Sequence, residues 1–154
     1  MNSRSVSDAE VVRVDVTQIL DLRRRILRPG LPIAASEYPQ DHLEETHHWA
    51  ILDAGHVVAC LTQFPERYDS QHAWRLRGMA VDPSYQGRGF GQALVNKATE
   101  VVVLDGAELF WCNARVSAAG FYEKQGFELL GPVFLTEPGV PHRVGVKRLT
   151  QQRN

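Results

Sequence analysis

The stretch that most constrains this chain runs from Trp74 to Val103, WRLRGMAVDPSYQGRGFGQALVNKATEVVV. Leu76 to Val81 reads as a strand. Asp82-Pro83 ends it, because proline has no N–H to give to a sheet ladder. The loop Gln86-Gly87-Arg88-Gly89-Phe90-Gly91 follows. From Phe90 the apolar residues Phe90, Ala93, Leu94, Ala98, Val101 and Val102 recur at helical spacing. The order is strand, glycine loop, helix N-terminus. Gly87, Gly89 and Gly91 let the backbone turn with its N–H groups inward, and the helix dipole adds partial positive charge there. Such a place suits an anionic phosphate group.

Two common phosphate loops do not fit. A kinase-type P-loop needs Lys and Ser/Thr after its last glycine, where this chain has Gln92-Ala93. A dinucleotide fingerprint fails too, since its last glycine would fall on Gln92 or Leu94. What remains is Q-x-x-G-x-G, Gln86 to Gly91, soon after a strand. This resembles the pyrophosphate-binding loop of the GNAT superfamily of acyl-coenzyme A N-acyltransferases. A second stretch points the same way. Leu109 to Cys112 reads as a buried strand, Asn113-Ala114-Arg115 lead into a short helix over Val116 to Gln125, and Gly126 stops it before a strand from Phe127. Its segment Phe121-Tyr122-Glu123-Lys124-Gln125-Gly126-Phe127 is similar to the FYEK-x-GF segment of the same superfamily. The resemblance covers about Leu76 to Leu149; the first half matches only in coarse pattern.

The resemblance implies an α/β fold: a single GNAT-like domain over residues 1–154, a mixed central sheet flanked by helices, and splayed central strands. It implies an acetyl-CoA-dependent N-acetyltransferase that moves an acetyl group directly to a primary amine of a small molecule or peptide. Gln86, Gly87, Arg88, Gly89, Phe90 and Gly91 would hold the cofactor pyrophosphate. A backbone N–H near Met79, Ala80 and Val81, where a bulge often frees it, would polarise the thioester carbonyl. Tyr122 matches the family tyrosine that protonates the leaving thiolate. One departure stands out: Arg115 occupies the place of the usual Asn seven residues before the tyrosine, and Asn113 stands two earlier, still a candidate for the cofactor. A non-catalytic acyl-CoA-binding or regulatory domain is the rival; it would need the loop but not Tyr122.

The chain before the loop is less informative. Glu10 to Val16 alternates like a first strand, and Thr17 is placed to cap a helix with Ile19, Leu20, Leu22, Ile26 and Leu27, ended by Pro29-Gly30. Arg23, Arg24, Arg25 and Arg28 on that helix read as a solvated basic face. Leu31 to His48 is Pro- and charge-rich, with a short helix expected around Gln40 to Thr46. The GNAT resemblance implies that this region lies over the acceptor site, which makes Tyr38, Asp41, His42, Glu44 and Glu45 candidates for acceptor contacts. Trp49 to Leu52 and Val57 to Phe64 read as a hairpin about Asp53-Ala54-Gly55-His56. Arg75 and Arg77 alternate onto one face with Met79 and Val81, and would favour an anionic acceptor if that face opens to it. Glu44, Glu45, Glu66, Glu137 and His142 are all open as the general base. His142 belongs to an EPGVPH segment placed before a last strand from Arg143 to Leu149.

Composition excludes several classes. Seventeen basic against eighteen acidic residues give no global attraction to nucleic acid. No apolar run reaches the length that spans a bilayer, and MNSRSVSDAE lacks the apolar core of a secretory signal. Cys60 and Cys112 sit in apolar runs and read as buried thiols in a reducing, cytoplasmic setting. The adjacent His47 and His48 would face opposite ways in a strand, a poor metal pair, and no metal site is expected. The partner expected is an amine acceptor; the oligomeric state stays open, a homodimer among the options.

Overall fold

A computed structural model describes residues 9–136 and 139–149 of the 154-residue chain. Among the described residues, seven strands form one mixed sheet in the order β1-β2-β3-β4-β5-β7-β6. They are β1 (Val12–Arg13), β2 (His47–Asp53), β3 (His56–Pro65), β4 (Ala73–Val81), β5 (Leu109–Arg115), β6 (Glu128–Thr136) and β7 (Val140–Arg148). The described residues also form the α-helices α1 (Leu20–Leu27), α2 (Phe90–Leu104) and α3 (Ala119–Lys124). The pair β4–β5 is parallel, joined through α2, as a crossover between parallel strands requires. The chain folds as two compact units. One contains the chain through Phe64 with Gly78–Ala98; the other contains Pro65–Arg77 and the chain from Thr99 onward.

In the first unit, β2 and β3 form the expected hairpin, pairing His47↔Gln63 through Asp53↔His56. Its turn holds Ala54 at φ 52° and Gly55 at φ 82°, the two left-handed residues that match the twist of a tight hairpin. The entry to α1 differs from expectation. Asp15, not Thr17, is the cap: its carboxylate accepts from the Thr17 N–H and starts a short 3-10 turn, Val16–Gln18, before α1. The first strand is also short, because the chain turns into that cap at Asp15. The expected helix near Gln40 is a single 3-10 turn, Pro39–His42. Val16, Ile19 and Leu22 pack with Ala50, Cys60 and Ala80 to make the core on this side of the sheet.

The basic face of α1 also needs correcting. Arg24 and Arg25 do lie outward and pair with Asp21, but Arg23 is fully buried. A buried cation costs free energy unless each N–H finds a partner. Arg23 makes a two-pronged pair with Asp41, both distances 2.9 Å, and donates to the Ser36 carbonyl and the Thr62 hydroxyl. The Tyr38 ring lies against the guanidinium, 4.1 Å from its centroid. His48 closes the network. Its Nε2 lies 3.0 Å from the Asp41 carbonyl, which can only accept, so Nε2 carries the proton and Nδ1 accepts from Thr62. Burial lowers the His48 pKa and favours this neutral form. Asp41 is thus a structural anchor for the 33–42 segment.

In the second unit, β5 runs three residues beyond the expected Cys112, held by β7 from Leu109↔Arg148 to Arg115↔His142. β7 begins at Val140, so the Gly-Val-Pro-His sequence enters the strand and does not precede it. Ala73, Leu109, Trp111 and Val146 form the core on one face. On the other face Phe110 meets Phe127, which meets the Tyr122 ring. Both cysteines are buried and unpaired, and burial pushes each thiol up to about 12. Among the described residues no helix is long and apolar enough to cross a membrane.

The Asp41 carboxylate gives an acid-sensitivity test. Burial pushes its pKa up, but bonds from Arg23 and the Tyr38 N–H, with the Arg23 charge, hold it below the ordinary carboxylate value. A depressed carboxylate stabilises the fold above its unfolded pKa, about 4, and that contribution is lost as pH falls through the lower folded value. Asp41→Ala is expected to cost about 3–5 kcal/mol at pH 7, because it leaves the Arg23 charge buried and unpaired. In urea unfolding, the gap between wild type and variant should narrow below about pH 4. A gap under 1 kcal/mol at pH 7 would show that the pair is replaceable by solvent.

Candidate active site

The glycine loop lies wholly in the first unit. Asp82 caps the 3-10 turn Pro83–Tyr85 by accepting from the Ser84 N–H at 2.9 Å. Gly87 and Gly89 both have φ 81°, the left-handed region where an L side chain is strained. The Gly89 carbonyl accepts the bond from the Ala93 N–H, 3.0 Å. Gly89 is therefore the last residue before α2, and the N–H groups of Phe90, Gly91 and Gln92 fall in the first turn, ahead of the intrahelical ladder. Over the 15 residues of α2 the dipole adds to them. The loop is braced from outside: Tyr85 donates to Asp53 in the β2–β3 turn, stacks on Phe90 and carries Arg88 over its ring.

β4 carries one residue more than regular pairing allows. Glu66 N–H bonds to the Ala73 carbonyl, and Asp82 N–H bonds to the Val58 carbonyl. Between these bonds β3 advances eight residues and β4 nine. Gly78, at φ 65°, takes up the extra residue as a β-bulge. The bulge reverses the side-chain alternation, so Met79 and Val81 face away from the side shared by Arg75 and Arg77. Ala80 instead joins Cys60 and the α1 residues in the core. This corrects the common face read from the sequence, and puts the bulge directly before Met79, Ala80 and Val81. The parallel ladder with β5 stops just before it, at Leu76↔Cys112.

The second unit holds the other site residues. Tyr122 lies on α3 and is 7% exposed, its ring edge-on to Phe121 and Phe127 at 5.2 and 5.4 Å. The helix ends at once: the Tyr122 carbonyl accepts from Gln125 and Phe127, and Gly126 turns the chain at φ 95°. Asn113 is half-buried on β5 opposite Val144, two residues before Arg115, which pairs with His142. Arg75 is held by Glu66 at 3.4 Å and by the Trp111 ring at 4.8 Å. Glu66 in turn accepts from the Trp111 indole through its carbonyl.

Residues 16–127 match the profile of the Acetyltransferase (GNAT) family. The chain belongs to the GNAT acetyltransferase family. A Bacillus subtilis protein described as the uncharacterized N-acetyltransferase YitI is 31% identical over 138 residues, 88% of this chain and 92% of its own length. Two solved structures share the fold. An aminoglycoside 6'-N-acetyltransferase complexed with coenzyme A superposes with a TM-score of 0.76 at 18% identity, covering 94% of this chain and 99% of that one. Escherichia coli ElaA superposes at 0.75 and 16% identity, covering 90% and 99%.

Within this GNAT chain, the acceptor candidates from residues 31–48 scatter. Asp41, His42 and Glu44 line a polar cleft with Arg13, Asp15 and Thr46 in the first unit. Tyr38 instead stacks on Arg23, and Glu45 is exposed. Glu137 lies outside the described residues. Sequence reasoning missed Arg23 and Gly78, although signals existed: Arg23 falls four residues from both Ile19 and Leu27 within the apolar stripe, and an isolated Gly inside a strand often marks a bulge.

Gly91 gives the cleanest test of the loop. Unlike Gly87 and Gly89 it is not among the left-handed glycines, and it lies inside α2. Gly91 is buried, so Gly91→Glu should lower thermal stability, the helix N-terminus offsetting part of the cost of the larger, charged side chain. The same carboxylate would repel a pyrophosphate. Calorimetric titration should find coenzyme A affinity reduced at least about a hundredfold, close to 3 kcal/mol. Unchanged affinity in the folded variant would remove the loop from the cofactor site.

Proposed function

We propose that residues 1–154 act as one catalytic domain that transfers the acetyl group of acetyl-CoA directly to a primary amine of a small molecule or peptide. The observation that carries this is the loop Gln86–Gly91, where two left-handed glycines lead the backbone into the N-terminus of α2. The pyrophosphate would rest on the N–H groups of that first turn, with Gln86, Gly87 and Arg88 around it. The bulge at Gly78 supports the second element, a backbone N–H near Met79 to Val81 that would meet the developing oxyanion. Asn113 would contact the cofactor arm. The coenzyme A complex of the structurally similar aminoglycoside acetyltransferase is consistent with such a cofactor.

Tyr122 is the proposed acid. A phenol is protonated at neutral pH by its ordinary pKa of about 10, and can give its proton to a thiolate of pKa about 8.5. Its helix ends within one turn of it, and Phe127 packs its ring, so the side chain is fixed before substrate arrives. Arg75, held against Glu66 and Trp111, and Arg77 would favour an acceptor that carries a carboxylate or phosphate. Two buried thiols suit a reducing compartment, and the cytoplasm is the proposed location.

A non-catalytic acyl-CoA-binding domain would share the loop but would not depend on the Tyr122 hydroxyl. Tyr122→Phe keeps the ring and its packing and loses the proton donor. We expect kcat, followed by thiol release from acetyl-CoA over a panel of amino acids, polyamines, aminoglycosides and peptides, to fall about a hundredfold. Acetyl-CoA affinity should change by less than about threefold, as for one modest hydrogen bond. Full activity in the variant, or a loss confined to affinity, would favour the binding domain.

A further inference from the structure

Gly78, the residue that absorbs the β4 bulge, is gripped on two sides. Its carbonyl accepts from the Cys60 thiol at 3.6 Å. A β-carbon built on it would fall 2.8 Å from Arg23 Nε and 3.0 Å from the Tyr38 ring. Arg23 thus occupies the space that a side chain would take at the bulge. Its own place is fixed from elsewhere, by Asp41 and the Ser36 carbonyl in the 33–42 segment and by Thr62 on β3. All of these residues belong to the first unit.

Stability alone does not account for such a pair. Arg23 is fully buried, and its Nε–H has no acceptor among the described residues. A buried donor left unmatched costs free energy, and a buried ion pair is often no more stabilising than apolar residues of similar volume. What the pair supplies is a fixed geometry. Both Nη atoms lie 2.9 Å from the Asp41 carboxylate, so the planar fork sits in one orientation. Nε is thereby set against Gly78. A bulge that is not held can move along its strand, and a slip of one residue reverses which way each side chain beyond it points. Met79, Ala80 and Val81 come directly after this bulge.

Resting on the acetyltransferase reading, we propose that Arg23, locked by Asp41, is a positioning residue for acetyl transfer. It pins the bulge at Gly78 and so aims the backbone N–H beyond it at the thioester carbonyl. Arg23 acts through Gly78 and needs no contact with cofactor or acceptor. The tolerance is small, because a misplacement of about 1 Å can cost about a hundredfold in rate.

The variant to make is Arg23→Met combined with Asp41→Asn. It leaves no buried charge unpaired, and the new amide oxygen can still accept from the Tyr38 N–H, as Asp41 does at 2.8 Å. With the best acceptor from the thiol-release panel, kcat should fall about ten- to a hundredfold. Coenzyme A affinity should stay within about threefold, since the glycine loop is untouched. A fall in kcat of less than about threefold in the folded variant overturns the proposal and leaves the acetyltransferase standing. So does a rise confined to the acceptor KM, the mark of a pair that only holds the 33–42 segment. Wild-type protein that neither binds coenzyme A nor releases thiol overturns both. Should the double variant fail to fold, Thr62→Val decides, because it removes one bond to Arg23 and keeps the ion pair. A kcat reduced about threefold or more then supports the proposal, and a smaller change contradicts it.

Discussion

One extra residue in β4 sets much of this structure. Gly78 can adopt the left-handed conformation that absorbs it, and a side chain there would meet the protein as well: a β-carbon would fall 2.8 Å from Arg23 Nε. The bulge turns Met79 and Val81 to the face opposite Arg75 and Arg77, returns Ala80 to the core, and disrupts the ladder locally. Backbone that is fully paired within a sheet has no N–H left for an oxyanion or an extended cofactor arm.

Arg23 shows how the fold supports that feature from behind. It is fully buried, with Asp41, Ser36 and Thr62 taking its Nη protons and Tyr38 on its face. The network ties α1, the 33–42 segment, β2 through His48 and β3 through Thr62 in one place. Ion pairs of this kind contribute less to net stability than their geometry suggests, because desolvation opposes them. Their effect is in specificity: a segment with two short 3-10 turns and little apolar content is held in one position.

The second half of the chain was the more legible in sequence. Glycine at positions that need positive φ, a helical period from Phe90 to Leu104, and Gly126 after α3 are local signals, and each element formed where its residues direct. The first half depended on contacts between distant residues. Asp15 outcompeted Thr17 as a cap because its carboxylate also takes the Thr17 hydroxyl, at 2.6 Å. Arg23 looked like one of four surface arginines until its partner, Asp41, came from 18 residues away. The Gly-Val-Pro-His strand entry was obscured by its proline, which sits at Pro141 on the strand's exposed side.

The central claim is that backbone N–H groups, at the loop and beside the bulge, receive the cofactor. Residue-resolved amide hydrogen exchange with and without coenzyme A tests it directly, since the atoms concerned are the ones that exchange. The account predicts slowed exchange at Gly87, Gly89, Gly91 and Gln92, and at one or more of Met79, Ala80 and Val81, on addition of saturating coenzyme A. Binding that protects other amides and leaves both sets unchanged would contradict it.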